Sequence, residues 1–163
     1  MRKVICNTSP VQYLYQLELL HILPSLASAI VIPEGVVEEL AAGRASGVSL
    51  PDPTKLDWIT IRRPASEIAL PLVTDLGKGE TEVLMLALEH REMIAVLDDG
   101  LARRVAESLG LPLTGTLGLL LDAKHAGLIE SVAPFLDRLQ QLRFRLALNT
   151  RNAVLKIANE ENL

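Results

Sequence analysis

The sequence predicts an α/β protein with a parallel sheet covered by helices on both faces. Short aliphatic, often β-branched runs (Lys3 to Cys6, Ala29 to Ile32, Met93 to Leu97) alternate with stretches whose apolar residues recur at helical spacing. The runs are apolar throughout instead of alternating with polar residues, as strands buried on both faces are. Polar and acidic residues punctuate the strand–helix boundaries, and in an alternating chain those boundaries gather along one edge of the sheet.

The first strand, Lys3 to Cys6, is closed by Asn7-Thr8-Ser9-Pro10, with Ser9 expected as the N-cap and Pro10 at the first helical position. Leu14, Leu17, Leu20 and Leu23 continue a helix to a break at Pro24, and a second short helix is expected around Ser25 to Ser28. Ala29 to Ile32 is the next strand, closed by Pro33, after which Val36, Val37 and Leu40 form an apolar helical stripe that carries Glu38 and Glu39. Gly43 to Thr54, rich in Gly, Ser and Pro, is expected to be an exposed loop able to shift on binding.

Trp58 to Ile61 has the pattern of an edge strand, followed by Arg62-Arg63-Pro64. Beyond Glu80, the residues Val83, Leu84, Leu86, Ala87 and Leu88 make an apolar helix. Met93 to Leu97 follows as a buried strand, and Leu101 to Leu109 as a helix ended by Gly110. Leu111 to Thr114 is a short strand and Gly115 to Ala126 a helix ended by Gly127; Pro134 to Leu142 and Asn152 to Asn159 are the last two helices. In that last helix Val154, Leu155 and Ile157 have few apolar companions, so it packs either on a second subunit or on its own domain.

A chain of 163 residues with 49% hydrophobic content suffices for one domain with a complete core and is short for two ordinary ones. The expected organisation is a domain over 1–145 with a helical extension, 146–163, in the same unit. No apolar run reaches the roughly 18 residues that span a bilayer, and Met1 to Cys6 turns polar too soon for a signal peptide. A cytoplasmic protein with no membrane partner is expected. The lone cysteine, Cys6, excludes an internal disulfide and a single-chain thiolate cage, and it fits a small buried strand residue. The net charge of −4 argues against coating nucleic acid through bulk charge, and an aromatic share of 3% leaves few stacking platforms for bases. Contacts to nucleic acid would run through phosphates and arginines.

Four boundary segments carry the chemistry: Asn7-Thr8-Ser9, Glu38-Glu39, Glu80 after Gly77-Lys78-Gly79, and Asp98-Asp99. Taken singly, each has an ordinary explanation. Asp98 and Asp99 can cap the helix that follows, Glu80 can complement a helix dipole, and Glu38 and Glu39 can ride a solvated face. Taken together, carboxylates drawn to one spot repel and need a cation or raised pKa values, and a divalent ion with hard oxygen ligands answers that need. Neighbours in sequence cannot both point the same way, so one of Glu38 and Glu39 should face the sheet edge and the other water. Arg103 and Arg104, with Arg62, Arg63 and Lys78, can receive a phosphate backbone or serve as solvated surface charge. His21, His90 and His125 lack helical zinc spacing, and Gly77-Lys78-Gly79 lacks the P-loop spacer and ending.

In their order and spacing, Cys6-Asn7-Thr8-Ser9-Pro10, Ile32-Pro33-Glu34 with Val37-Glu38-Glu39-Leu40, Leu76-Gly77-Lys78-Gly79-Glu80, Leu97-Asp98-Asp99-Gly100 with Ala102-Arg103-Arg104, and Thr114-Gly115-Thr116-Leu117-Gly118 resemble the PIN-domain family. The resemblance runs from about Arg2 to Leu142 and is nearest to a prokaryotic branch akin to VapC-type toxins. It implies a three-layer α/β/α sandwich and a metal-dependent ribonuclease centre at the carboxyl ends of the strands. Asn7, Glu39, Glu80 and Asp99 would hold Mg²⁺ or Mn²⁺, with Asp98 able to substitute for its neighbour. Thr8 and Ser9 would orient water, and Arg103 and Arg104 would receive RNA. It further implies a toxin that works as a homodimer and is silenced by a small antitoxin protein. Asn7 stands where nuclease members commonly carry Asp; its carbonyl oxygen can ligate a metal but brings no charge and cannot act as a base. A catalytically retired binding module is therefore the alternative. A receiver-like domain would also use paired acids at a strand end, but Lys124 falls inside a helix here.

Overall fold

A computed structural model describes residues 2–65 and 75–161. Five strands, β1 (Arg2–Cys6), β2 (Ala27–Pro33), β3 (Ile59–Arg62), β4 (Ile94–Val96) and β5 (Leu113–Thr114), form one parallel sheet in the order β3-β2-β1-β4-β5. The helices that connect them are α1 (Thr8–Gln16), α2 (Leu23–Leu26), α3 (Glu34–Ala45), α4 (Lys78–Glu89) and α5 (Gly100–Ser108). Parallel neighbours need such crossovers, because a hairpin can join only antiparallel strands. The result is the predicted three-layer α/β/α sandwich.

β1 is central, with Ile5 opposite Val31 of β2 and Ala95 of β4. Ile5, Ile32, Ala95 and Val96 are fully shielded, as the unbroken apolar runs require. Each large aliphatic side chain so buried stabilises the fold by about 1.5–3 kcal/mol before entropy is counted. β3 lies at the edge, as expected of Trp58 to Ile61, and is largely exposed.

Cys6 is buried and unpaired. Burial, with a smaller contribution from the charge of Asp98, pushes its thiol up to about 12. A thiol reagent at pH 8 is expected to leave the native protein untouched and to titrate one thiol after denaturation. Rapid reaction of the native form would refute the burial.

Several boundaries differ from expectation. The first helix ends at Gln16, and Glu18 takes a left-handed φ of 61°, so the leucines from Leu17 to Leu23 are buried along a turning chain that includes a 3-10 turn at Leu20–Ile22. The second short helix, α2, begins at Leu23, two residues before the expected Ser25, so Pro24 falls within its first turn, where its missing N–H is harmless. Asn7, not Ser9, occupies the N-cap position of α1. Gly43 lies inside α3, which runs on to Ala45, and the segment beyond is anchored. Leu50, Pro51 and Pro53 are buried, and Arg44 donates to Pro51 O and stands 3.9 Å from Asp52. Gly110 (φ 69°) and Gly127 (φ 76°) end their helices in the left-handed conformation that the sequence pattern predicts.

The chain packs as two compact units, Met1–Thr116 and Leu117–Leu163. The second contains most of α6 (Thr116–His125) together with α7 (Ala133–Gln141) and α8 (Leu148–Ile157). It is tied by Glu160, only 3% exposed, whose carboxylate accepts from Lys124 Nζ (2.8 Å) and from the backbone N–H groups of Val132 and Ala133 at the start of α7. In α8, Val154 is buried whereas Leu148 and Ile157 are exposed. Among the described residues no helix is long and apolar enough to cross a membrane.

Candidate functional site

The strand order reverses at β1: the chain moves outward through β2 and β3, then resumes on the other side of β1 with β4 and β5. In doubly wound sheets such a reversal opens a crevice at the carboxyl ends of the two strands that flank it. Asn7 directly follows β1, Asp98 and Asp99 follow β4, and the N–H of Asn7 donates to Val96 O at 3.1 Å, which ties the two strand ends together.

Asn7 is 4% exposed, and its side chain makes no cap bond to α1. Its Oδ1 is buried without a hydrogen-bond partner among the described residues. A buried amide oxygen left in that state is costly and calls for an explanation. It points at the first turn of α4: a Cβ at Gly79 would lie 3.0 Å from Asn7 Oδ1 and 2.8 Å from Glu39 Oε1. Glu39 accepts from the Gly79 N–H through Oε1 (2.7 Å) and from the Thr8 hydroxyl through Oε2 (2.6 Å). Glu38 turns outward to an exposed ion pair with Lys78 at 2.7 Å. The adjacent glutamates thus divide as helical geometry requires.

Glu80 sits at the third position of α4, and its carboxylate accepts a hydrogen bond from the Gly77 backbone, the return half of a capping box. Burial raises its pKa, as do the charges of Asp99 and, less strongly, Glu39; the Gly77 bond opposes them without prevailing. Glu80 therefore lies within electrostatic reach of both Asp99 and Glu39. Asp99 caps α5, accepting from the Ala102 N–H at 3.0 Å.

Asp98 points elsewhere. Its carboxylate accepts from the Thr116 N–H (2.8 Å), the Thr116 hydroxyl (2.7 Å) and the Ser9 hydroxyl (2.9 Å), binding the end of β4 to the starts of α1 and α6. Ser9, expected as an N-cap, instead commits its hydroxyl hydrogen to that carboxylate. Arg103 is also built into the turn: its Nη1 donates to Leu97 O at 2.8 Å beside Gly115, where a Cβ would meet Arg103 Nη1 and Asp98 Oδ1 at 2.8 Å each. Arg104 lies near Gly100 at the start of α5. Arg63 pairs with Glu34 at 3.1 Å, and Arg62 approaches His90 at 3.4 Å.

The structure thus gathers Asn7, Glu39, Glu80 and Asp99 about the N-termini of α4 and α5, with Thr8 holding Glu39, and turns Asp98 and Ser9 toward Thr116. It does not close the acids onto one point. Among the described residues no three His, Cys, Asp or Glu side chains stand close enough to hold one ion. Each acid rests on backbone N–H groups, a helix N-terminus serving as a partial positive charge. Sequence reasoning did not assign a role to the Gly79 amide or to Thr116, although Gly77-Lys78-Gly79 and Gly115-Thr116 flag close approaches of backbone.

In chemistry, though not as a closed cage, this donor set suits a divalent cation: hard oxygens only, a partnerless buried amide oxygen, and a Glu80 raised by burial and by the charges of Asp99 and Glu39. Oxygen donors at the switch point of a doubly wound sheet define a class of α/β proteins suited to divalent cations and phosphate oxygens. The family model DUF3368, described as a PIN domain, matches residues 3–160, and the chain belongs to that family. Membership of the PIN domains points to nuclease activity in general, and PIN domains generally use divalent metals. No curated protein matches the sequence.

Proposed function

We propose that the protein is a Mg²⁺- or Mn²⁺-dependent endoribonuclease in which Asn7, Glu39, Glu80 and Asp99 hold the cation. The single observation that carries the reading is the buried, partnerless Asn7 Oδ1 converging with Glu39 Oε1 on the first turn of α4. When bound, the cation supplies polarisation of a phosphoryl oxygen and lowers the pKa of water. The chain's own groups do the rest. Thr8 donates to Glu39 Oε2 and fixes that carboxylate's orientation. Glu80 and Asp99 supply negative charge that the cation offsets, and Arg104, whose Nη1 lies beside Gly100 at the start of α5, receives a phosphate of the RNA backbone. The likeness of the motifs to VapC-type toxins extends the proposal to the toxin of a toxin–antitoxin pair, a homodimer silenced by a small antitoxin; a short neighbouring reading frame would support that extension.

Calorimetric titration with Mn²⁺ tests the core of it. Wild-type protein should bind, Glu80→Gln should bind at least about tenfold more weakly, and RNA cleavage should fall in parallel. Absence of binding together with cleavage unchanged by Glu80→Gln would end the proposal.

The second reading is a binding module for RNA or a protein partner, favoured by the neutral amide at position 7 and by acids that stop short of a closed cage. Asn7→Asp separates the two. A large gain of nuclease activity from an inert parent supports the module, whereas little change from an active parent means that the amide is compatible with catalysis.

A further inference from the structure

The crossing of α3 and α4 contains a second acidic contact that the site above does not use. Neither helix is capped by its own N-cap side chain: Pro33 before α3 and Gly77 before α4 make no such bond. Yet the first N–H groups of any helix need acceptors. Each helix finds one on the other. Glu39 of α3 accepts from the N–H of Gly79 in α4 at 2.7 Å, and Glu82 of α4 accepts through Oε1 from the N–H of Gly35 in α3 at 3.0 Å.

The two contacts are built alike. Each donor is a glycine at the second helical position, Glu34-Gly35 in one helix and Lys78-Gly79 in the other. A Cβ would collide with the incoming carboxylate in both, lying 2.5 Å from Glu82 Oε2 at Gly35 and 2.8 Å from Glu39 Oε1 at Gly79. Glycine is the residue that admits so close an approach. Two crossed caps fix both the slide and the rotation of one helix against the other, which a single contact cannot do. The exposed Lys78–Glu38 pair beside them adds little, since solvent screens it.

We propose that Glu82 is a positioning residue: by capping α3 at Gly35 it holds Glu39, one turn further along the same helix, in register with Gly79 and Asn7. Glu82 is not a ligand, because residues two apart on a helix do not share a face and Glu80 takes the face toward Asp99. Its influence reaches the site through the seating of α3. The effect on metal binding rests on the functional reading above; the geometric coupling between the two caps does not.

Amide hydrogen exchange and Mn²⁺ calorimetry on Glu82→Ala and Glu82→Gln test the proposal. The alanine variant should speed exchange at Gly79, an amide that Glu82 never touches, by about tenfold or more, and weaken Mn²⁺ binding by roughly 10–100-fold, the usual cost of losing an outer partner of a ligand. The glutamine variant keeps an acceptor oxygen for Gly35 and should recover most of both. A lower melting temperature with unchanged Gly79 exchange and unchanged Mn²⁺ affinity would overturn it, leaving Glu82 an ordinary helix cap. If the alanine variant does not fold, Glu82→Asp, which withdraws the carboxylate by one methylene, is read the same way. If the wild type binds no Mn²⁺, the functional reading fails and Gly79 exchange alone decides the clamp.

Discussion

Gly79→Ala is expected to remove Mn²⁺ binding from a protein that still folds. By local propensity the change should help, because alanine inside a helix is favoured over glycine by about 0.5–1 kcal/mol. Here the added methyl would sit 2.8 Å from Glu39 Oε1, 3.1 Å from Glu39 Cδ and 3.0 Å from Asn7 Oδ1. Glu39 must move away, and the charge-assisted bond from the Gly79 N–H goes with it, a loss of about 1.5–3 kcal/mol that outweighs the gain in propensity. Losing the hydrogen-bond partner that orients a metal-holding carboxylate costs about 10–100-fold in affinity, and the methyl displaces the carboxylate as well. The measurements are circular dichroism for the fold and calorimetry for the ion. Wild-type affinity in the alanine variant would mean that no cation is held between Asn7 and Glu39, and the proposed centre would be lost.

Glu160→Ala should produce the largest change in stability, by removing the tie that closes the second unit. The carboxylate is almost wholly buried and is satisfied by Lys124 Nζ and by the N–H groups of Val132 and Ala133. Its loss leaves Lys124 without its carboxylate and the start of α7 uncapped, at a cost of about 3 kcal/mol. For a chain of this size that lowers the melting temperature by roughly 6–12 °C.

Burial by itself would raise the Glu160 carboxyl, but the Lys124 bond and the two backbone bonds outweigh it and hold the carboxyl below the usual carboxylate range. A depressed folded-state pKa means that the unfolded chain binds the proton first as acid is added. The stabilisation is complete above the usual carboxylate range and is lost as pH falls through the depressed value. Wild-type melting temperature should therefore drop more steeply in acid than that of Glu160→Gln. Equal acid limbs, or a melting temperature unmoved by alanine, would show that the carboxylate contributes no stability.

The Glu160 tie was invisible in the sequence, where a glutamate near the chain end has the pattern of solvated charge. Nothing local marks it, since its partners lie 27 to 36 residues away. Asp98 and Asp99 make a similar point. They are adjacent at the end of β4, with Asp99 the expected ligand and Asp98 its possible substitute, and the packing separates them: Asp99 caps α5 while Asp98 is taken up by Ser9 and Thr116. Ser9 has good N-cap chemistry and a following proline, and it lost the cap position because the helix begins two residues earlier than expected and Asp98 offers its hydroxyl a stronger acceptor.

The alternation of apolar runs with helical stripes was enough to determine the parallel sandwich, the edge position of β3 and the helix ends at Gly110 and Gly127, because burial period and turn chemistry are written in neighbouring residues. Glu39, Glu80 and Asp99 were legible as candidates for the same reason: residues at the carboxyl ends of parallel strands, and at the helix starts beyond them, are brought to one edge whatever the details of packing. Tertiary structure alone decided which oxygens face one another, that Glu39 rests on the amide of Gly79, that Asn7 Oδ1 is buried without a partner, and that α3 and α4 cap each other through Glu82. Hydrogen-bond geometry between segments some forty residues apart depends on how the elements slide and rotate when packed, and no pattern of neighbouring residues encodes that.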